Sequence, residues 1–249
     1  MSAPGSGPNA LIGSADWWRD QRDRQRRRRP RADGLTIERI TEVALKVVDE
    51  DGLDALTVRR LADELGTGSA SLYRHIASRE ELLVLLVDHV LGEIRLRPGE
   101  DHGRTMVVWL AGELRRVLMA HSNLLPALAA SPLLGPNALL GAEAGLMHLL
   151  EAGFEPAVAV PAYLALIDYV LGTVYFDTSR AGRAGRGTGS ECGPVPVELF
   201  EALPAEGFPT LRSNEAEMLG TEVDQVFHFG LTTFLDGLEH RFPPKPSSA

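Results

Sequence analysis

The chain has few of the residues that stabilise secreted or metal-bound folds. Its 249 residues include a single cysteine, Cys192, which allows neither an intrachain disulfide nor a cysteine-based zinc site. We expect no apolar stretch to reach the roughly 18 residues of a membrane span, and the N-terminus lacks an apolar signal-peptide region. These absences predict a cytoplasmic protein that does not bind a membrane, a metal or a cofactor.

The motifs of common enzyme classes are also absent. The sequence has no GxSxG nucleophile elbow, no HExxH, no GxxxxGK[ST] phosphate loop and no zinc spacing of Cys and His. The glycines between 185 and 193 follow no predicted strand, so they do not fit a dinucleotide site. Asp168, Asp177 and several histidines keep an unrecognised helical enzyme open as an alternative, but the sequence favours a protein that is not an enzyme.

Charge is divided unevenly along the chain. Residues 1–79 hold 14 Lys and Arg against 12 Asp and Glu, whereas the remainder holds 11 against 22, and the whole carries a net charge of -9. Eight arginines lie between Arg19 and Arg31, among them Arg27, Arg28 and Arg29. Such a run favours contact with phosphates along a nucleic-acid backbone, and the alternative is a solvated tail. Trp17 and Trp18 suggest a helical extension within this arm that is anchored to the domain or to a partner subunit.

The segment from Thr57 to Arg79 has the pattern of two short helices around a glycine turn. The apolar residues that recur at helical spacing and are predicted to face inward are Leu61, Ala62, Leu65, Leu72 and Ile76. Thr57 and Ser69 are predicted to be the N-caps of the two helices, and Gly66 is predicted to form the turn between them. The second helix would leave only small and hydrogen-bonding side chains outward. That arrangement is what a DNA-reading helix needs.

Two flanking helices complete a small core. The first has Thr36 as its N-cap, an apolar stripe from Ile37 to Val48, and an end near Gly52. The second has Ser78 followed three residues later by Glu81, which fits a capping box ahead of a leucine-rich run. Three helices can therefore pack together around the reading segment.

From about Leu35 to Leu91 the chain resembles the DNA-binding domain of the TetR family of bacterial transcriptional regulators. The resemblance is carried by the stretch from Val47 to Gly52, by LTVRRLADELG from Leu56 to Gly66, and by SLYRH from Ser71 followed by Arg79. It implies that the helix after the turn enters the major groove, and that certain residues contact bases or phosphates: Ser69, Ala70, Ser71, Tyr73, Arg74 and His75. It also implies backbone contacts by Arg59 and Arg79.

Side-chain chemistry separates these residues further. Among them, Arg74 alone can make a bidentate contact to a guanine edge, so we predict that it reads a base. Tyr73 is predicted to contact a phosphate. The alternatives are that Tyr73 packs across a helix junction and that His75 is a surface imidazole.

Beyond Leu91 the pattern stays helical, and no strand is predicted. Breaks divide this half into helices near 105–121, 123–130, 136–152, 156–180 and 222–240, with shorter turns near 197–203 and 214–220. Pro161 must lie in a first turn or kink its helix, so the fourth helix is expected to begin at 156 or later. The glycine- and arginine-rich stretch 181–194 is predicted to be disordered, with a mobile lid as the alternative.

The two longest helices carry more apolar surface than one core requires. The resemblance implies that they form a four-helix dimer interface, and Gly172, Gly230 and Gly237 would allow close approach. It also implies that this half encloses a small-molecule effector, for which the candidate contacts are the large or polar groups on apolar helices: Trp109, His121, Met147, His148, Tyr163, Phe176 and His228.

The sequence thus predicts an all-α protein in four parts: a basic, flexible arm at 1–34, a helix-turn-helix domain at 35–91, an effector and dimerisation domain at 92–242, and a tail at 243–249. The predicted function is a homodimeric repressor that a small molecule releases from a palindromic operator. A DNA-coating protein without sequence preference is the second hypothesis.

Overall fold

The computed structural model describes residues 10–27, 35–96, 102–184, 195, 197–204 and 206–244, and within them the chain forms helices but no strand. In chain order the helices are α1 (Ala15–Arg27), α2 (Ile37–Asp51), α3 (Val58–Glu64), α4 (Ser69–Leu72), α5 (Arg79–Leu91), α6 (Arg104–Ala120), α7 (Leu125–Ala130), α8 (Pro136–Glu151), α9 (Pro156–Ala184), α10 (Glu198–Glu201), α11 (Pro209–Ser213), α12 (Glu215–Gly220) and α13 (Val223–Arg241). The predicted all-α fold class is confirmed.

The chain divides into two compact units that are not contiguous in sequence. Unit 1 comprises Met1–Pro98 and Arg116–Ala144, and unit 2 comprises Gly99–Arg115 and Gly145–Ala249. Unit 1 therefore contains the predicted helix-turn-helix region together with the end of α6, α7 and the start of α8. Segments remote in sequence thus contribute to the first unit, and the predicted domain boundary at residue 91 stays a prediction.

The core of unit 1 is built where α2, α3 and α5 pack together. Ile40, Leu61, Leu72 and Leu86 are fully enclosed, and Ile76 is 1% exposed. Each such side chain stabilises the fold by roughly 1.5–3 kcal/mol relative to leaving it in water. Leu72 and Ile76 thus anchor the short α4 and the turn that follows it, as their spacing predicted.

Local capping explains where the helices of unit 1 begin. The hydroxyls of Thr36, Thr57 and Ser78 accept backbone N–H groups at the starts of α2, α3 and α5, as predicted. Gly66 takes the left-handed conformation, with φ 62°, that the turn after α3 requires.

Two predicted caps differ in detail. Ser69 is the first residue of α4, and Gly68 occupies the N-cap position without a side-chain bond, so Ser69 is not the cap. The capping box at α5 is half formed, since the Glu81 carboxylate accepts the Ala77 N–H at 2.8 Å. The Glu81 side chain takes this position because it is buried: it is 2% exposed and also accepts a hydrogen bond from Gln21.

The N-terminal arm contains an ordered helix where a flexible tail was expected. α1 spans Ala15–Arg27, and Trp17 and Trp18 are 5% and 7% exposed. Their rings meet edge to face, with centroids 4.8 Å apart. The arm is therefore helical over this span because adjacent tryptophans dock on unit 1, while residues 1–9 and 28–34 lie outside the described part of the chain.

In unit 2, α9 is the longest helix of the described chain. It begins at Pro156 and contains Pro161 inside it, so the proline lies beyond the first turn and the helix forgoes one backbone hydrogen bond. α9 continues to Ala184, which places the start of the 181–194 stretch in a helix and not in a disordered loop. Residues 185–194 are not among those described.

Pro156–Arg180 is long and apolar enough to cross a membrane by length and composition, so the expectation of no such stretch is wrong. Its apolar residues are nevertheless arranged by face. Leu166, Val170 and Val174 are buried in unit 2, and Asp168 and Asp177 interrupt the segment. A helix that packs one face against a protein core passes the same test of composition.

α9 packs against α13 within unit 2. Tyr169 donates its hydroxyl hydrogen to the Phe227 carbonyl oxygen at 2.8 Å, and the two rings stack with centroids 5.8 Å apart. A Cβ at position 230 would collide with the Tyr169 hydroxyl. Gly230 therefore makes room for the Tyr169 ring within this chain, whereas Gly172 and Gly237 have open space at their Cβ positions.

Candidate nucleic-acid interface and effector domain

The recognition segment, defined as residues 69–75, presents an outward face of small and polar groups. Ser69, Ala70, Tyr73 and Arg74 are exposed, and Ser71 and His75 are half-buried. The inward Leu72 fixes the orientation of this face. All six of the DNA contacts predicted within this segment therefore remain at least partly accessible to solvent.

Within this surface the Arg74 guanidinium donates to the Ser71 hydroxyl at 2.7 Å. The contact holds two polar side chains side by side on the exposed face of the segment. Aromatic rings usually bury most of their surface in a folded protein, whereas Tyr73 is 55% exposed. The alternative in which Tyr73 packs across a helix junction is therefore not what the structure shows.

The two predicted backbone contacts outside the segment differ in their surroundings. Arg59 is exposed near the start of α3. The Arg79 guanidinium donates to the carbonyl oxygens of Leu56 at 3.2 Å and Leu53 at 2.9 Å. Arg79 therefore ties the start of α5 to the turn before α3, a structural role that the sequence did not indicate.

The arm residues predicted to bind DNA are only partly described. Arg27 is the last residue of α1, and Arg28 and Arg29 lie beyond the described residues. Upstream of them, Arg22, Arg24 and Arg26 are exposed on α1.

The seven predicted effector contacts are divided between the two units. Six belong to unit 2, but His121 belongs to unit 1. Met147, Phe176 and His228 are exposed, while His148 is buried and shares a 2.7 Å contact with Glu151. Trp109 and Tyr163 are half-buried, and burial raises the pKa of the Tyr163 hydroxyl.

His121 lies between two carboxylates of unit 1. Its Nδ1 lies 2.9 Å from the Asp49 carboxylate and its Nε2 lies 3.1 Å from that of Glu93. Both contacts are donated only when the ring carries two protons. The side-chain amide of Asn123 donates to the Val48 and Asp49 carbonyls beside it. His121 therefore joins the end of α6 to the end of α2, and both of its ring nitrogens already have carboxylate partners.

A buried carboxylate on α5 caps another helix, which sequence reasoning missed. Asp88 is 6% exposed and accepts the backbone N–H groups of Asn137 at 3.1 Å and Ala138 at 3.0 Å, at the start of α8. Burial raises the pKa of Asp88, and the hydrogen bonds from these amides oppose the rise. A Cβ at position 135 would collide with this carboxylate, so Gly135 allows the approach. The partners are about 50 residues apart, and no sequence pattern links them.

Unit 2 contains an apolar cleft of about 320 Å³ between α9 and α13. Phe176 is the one predicted effector residue among its lining side chains, which also include Tyr169, Val226 and Phe227. Beside it, Arg115 pairs with Asp177 at 3.1 Å and with Asp224 at 2.7 Å, and its guanidinium lies 4.8 Å from the centre of the Phe227 ring. These contacts fix α6 against both helices of the cleft.

Comparison with known proteins agrees with this arrangement. Residues 40–86 match the family model described as bacterial regulatory proteins, tetR family, and residues 97–242 match that of the tetracyclin repressor-like C-terminal domain. The chain is 33% identical to the HTH-type transcriptional repressor DrrR1 of Streptomyces coeruleorubidus, over 82% of this chain and 77% of the relative.

Two solved structures are similar along most of the chain. The TetR family protein ActR of Streptomyces coelicolor, in complex with actinorhodin, is 33% identical, with a TM-score of 0.70 over 84% of this chain and 97% of ActR. BioQ with its double-stranded DNA operator is 25% identical, with a TM-score of 0.56 over 82% of this chain and 98% of BioQ.

These matches and the exposed recognition segment lead to one assignment. The curated relatives are transcriptional regulators and not enzymes. The chain belongs to the TetR family and is a DNA-binding transcriptional regulator of the kind that an effector releases from DNA.

Proposed function

We propose that this regulator is a cytoplasmic homodimeric repressor that binds a two-fold symmetric operator and leaves it when a small molecule binds unit 2. The observation that carries the proposal is the recognition segment, whose outward polar face is held by two fully enclosed apolar residues, Leu72 and Ile76. A short helix that exposes serine, tyrosine and arginine on a rigid core can enter a major groove.

The roles within the interface follow from side-chain chemistry. Arg74 is proposed to read a guanine, because its guanidinium can donate two parallel hydrogen bonds to one base edge. Ser69, Ser71, Tyr73 and His75 are proposed to bind phosphates, with Ala70 allowing close approach. Arg59 and the arginines 27–29 are proposed as backbone contacts. Arg79 is proposed to act chiefly by holding the start of α3, since two carbonyls already accept its hydrogen bonds.

A second copy of the chain is proposed to cover the outward faces of α9 and α13. Phe229 is 72% exposed, Tyr175 60%, Phe176 57% and Leu164 56%, all on these two helices. Apolar groups of this size on neighbouring helices indicate a surface that is covered in the functional protein. Two copies related by a two-fold axis would present two recognition segments to two half-sites.

The effector is proposed to bind unit 2, with the half-buried Trp109 and Tyr163 and the buried His148 as candidate contacts. ActR was solved with actinorhodin bound, and it resembles this chain along nearly its whole length. Actinorhodin is therefore the first compound to test, by titration into the purified protein and into its complex with DNA. An effector can release DNA only if it binds the DNA-incompetent arrangement more tightly than the competent one.

The experiment that tests the proposal is selection of bound sequences from random duplex DNA by the full-length protein at near-physiological salt. A recovered site with two-fold symmetry is the expected result. Recovery of DNA without a shared sequence would contradict the proposal and would favour the DNA-coating hypothesis, because phosphate contacts alone carry no sequence information.

A further inference from the structure

α1 occupies a defined place on unit 1, at the junction between the recognition segment and α5. The Gln21 side-chain amide donates to the Glu81 carboxylate at 3.1 Å, and the other oxygen of Glu81 accepts the Ala77 N–H. Ala77 directly follows Ile76, the last buried residue after the recognition segment. Gln21 is therefore linked through one buried carboxylate to the backbone that ends this segment.

The direction of α1 follows from its two ends. At the start, a Cβ on Gly13 would lie 3.1 Å from Pro132 and 3.5 Å from Val84, which is within α5. Further along, Gln21 contacts Glu81, in the first turn of α5. Between Gly13 and Gln21 the chain therefore passes from the level of Val84 to that of Glu81, which is one turn nearer the start of α5 and the backbone that follows the recognition segment.

The charge of α1 changes in the same direction. From Ala15 to Gln21 the helix has two aspartates and one arginine, and Asp16 pairs with Arg19 at 2.7 Å. From Arg22 to Arg27 it has four arginines and one aspartate. The positive charge is therefore concentrated in the part of α1 that follows Gln21, the residue that contacts Glu81.

Burial shows that this placement is held by a specific contact surface. Trp17, Trp18 and Gln21 are each less than 8% exposed, whereas Arg22, Arg24 and Arg26 are exposed. Tryptophan side chains each bury roughly 150–250 Å² when enclosed, so these two rings are the main apolar anchors of the 13-residue α1. α1 also lies outside residues 40–86 and 97–242, the parts of the chain that the family models match.

We infer that Trp17, Trp18 and Gln21 are positioning residues for DNA binding: they dock α1 so that the arginines from Arg22 onward are presented to the phosphates beside the recognition segment. The inference rests on the proposed contact between the arm and DNA, and adds that the arm binds as a preorganised helix. A docked arm gives up less configurational freedom on binding than a free tail, which raises affinity without a new contact.

Preorganisation and charge have separable effects on salt dependence. The slope of log affinity against log salt counts phosphate contacts, at about 0.9 per contact. Releasing α1 from unit 1 keeps its arginines, so it should lower affinity at every salt concentration while changing the slope little. Removing the arginines should flatten the slope itself.

The test compares full-length variants on the duplex recovered by selection, over a series of salt concentrations. Trp17→Ala/Trp18→Ala undocks the helix, and Arg22→Gln/Arg24→Gln/Arg26→Gln removes charge. We expect the first to weaken binding by about tenfold with an unchanged slope. We expect the second to lower the slope by about one unit for each phosphate that these arginines bind in the unaltered protein.

A second variant that releases α1 from unit 1 keeps the inference testable if the tryptophan variant misfolds. Gln21→Glu places a carboxylate against the buried Glu81 and should release the C-terminal half of α1. Ala15→Glu adds the same charge at the exposed start of α1 and is its matched control. Trypsin should cleave after Arg22 to Arg27 faster in Gln21→Glu than in the control, which reports undocking directly.

The possible failures can be told apart. If the arginine variant lowers the slope but both undocking variants bind like the unaltered chain, the arm contacts DNA and the positioning inference is overturned. If the arginine variant keeps the slope, these arginines are not at the DNA and the proposed role of the arm fails with it.

Discussion

The recognition segment and the α9–α13 pair follow the same folding rule and differ in what they leave outside. Each is held by a buried apolar stripe, Leu72 and Ile76 in the first case, Leu166 and Val170 or Phe227 and Leu231 in the second. The recognition segment exposes serine, tyrosine and arginine, whereas the helix pair exposes phenylalanine, tyrosine and leucine. The outward faces therefore select different partners, a hydrated polyanion for one and another apolar surface for the other.

The largest effect is expected from charging the apolar face. Phe229→Glu would bury a carboxylate in each half of a symmetric interface, and we expect it to weaken dimerisation by about 3–4 kcal/mol. Sedimentation equilibrium measures the change, and DNA binding should fall with it because one copy reads one half-site. Leu139→Glu, at an exposed leucine of α8, is the control. A dimer that survives Phe229→Glu would place the interface elsewhere.

Removing charge from the polar face should act on sequence preference. Arg74→Ala is expected to cost roughly 1–3 kcal/mol per half-site on the selected operator and much less on unrelated duplex. Arg59→Ala should weaken binding to both DNAs alike. Fluorescence anisotropy on the two duplexes measures the difference. Equal losses of affinity for Arg74→Ala on both would make Arg74 a phosphate contact.

The two glycines of α13 separate packing within the chain from packing between copies. Gly230→Ala places a methyl group against the Tyr169 hydroxyl and should lower the free energy of unfolding by roughly 1–3 kcal/mol. The methyl group that Gly237→Ala adds meets open space within one chain. Gly237→Ala should therefore leave the free energy of unfolding unchanged when it is measured in a monomeric variant such as Phe229→Glu. Urea unfolding of both variants in that background gives the comparison. Equal destabilisation would contradict the assigned role of Gly230.

The smallest effect concerns Asp88 and depends on pH. Burial raises the pKa of its carboxyl above the ordinary value, so as the pH falls the folded chain binds this proton before the unfolded chain does. Asp88 therefore favours folding more as the pH drops from neutral through its folded pKa towards about 4, the ordinary value for aspartate. Asp88→Asn should remove this gain, which we expect to be about 1 kcal/mol or less.

Urea unfolding at several pH values between about 4.5 and 7 measures the Asp88 effect. The difference in unfolding free energy between the unaltered chain and Asp88→Asn should shift in favour of the unaltered chain at the acidic end. Asp54→Asn, at an exposed aspartate, controls for the removal of a surface charge. A difference that does not vary with pH would mean that folding does not raise the pKa of Asp88.

Sequence reasoning located the reading segment because its determinants are local. Thr57 caps a helix, Gly66 forms a left-handed turn and Leu72 belongs to a helical repeat, and each of these depends only on residues close by in sequence. The length and order of the later helices could be predicted for the same reason. The contacts of His121 could not, since Asp49 lies 72 residues away and Glu93 28 residues away.

The N-terminal arm shows the same limit of prediction from local sequence. Its arginines and tryptophans were visible as unusual composition, and an anchored helix was one interpretation. The partner of that helix could not be read, because Gln21 and Glu81 are 60 residues apart. Glu81 also had a local explanation in the capping box, which concealed its contact with Gln21.

The docking of α1 sets a limit on domain exchange between members of this family. A chimaera that grafts a foreign reading head by replacing residues 40–86 would replace Glu81 and Val84 but leave Gln21 and the two tryptophans in place. α1 would then face a surface that is not shaped to receive it, and its arginines would lose their register with the new recognition helix. A graft that carries residues 10–96 as one module keeps Gln21 and the two tryptophans with Glu81 and Val84, and leaves only the approach of Gly13 to Pro132 across the junction.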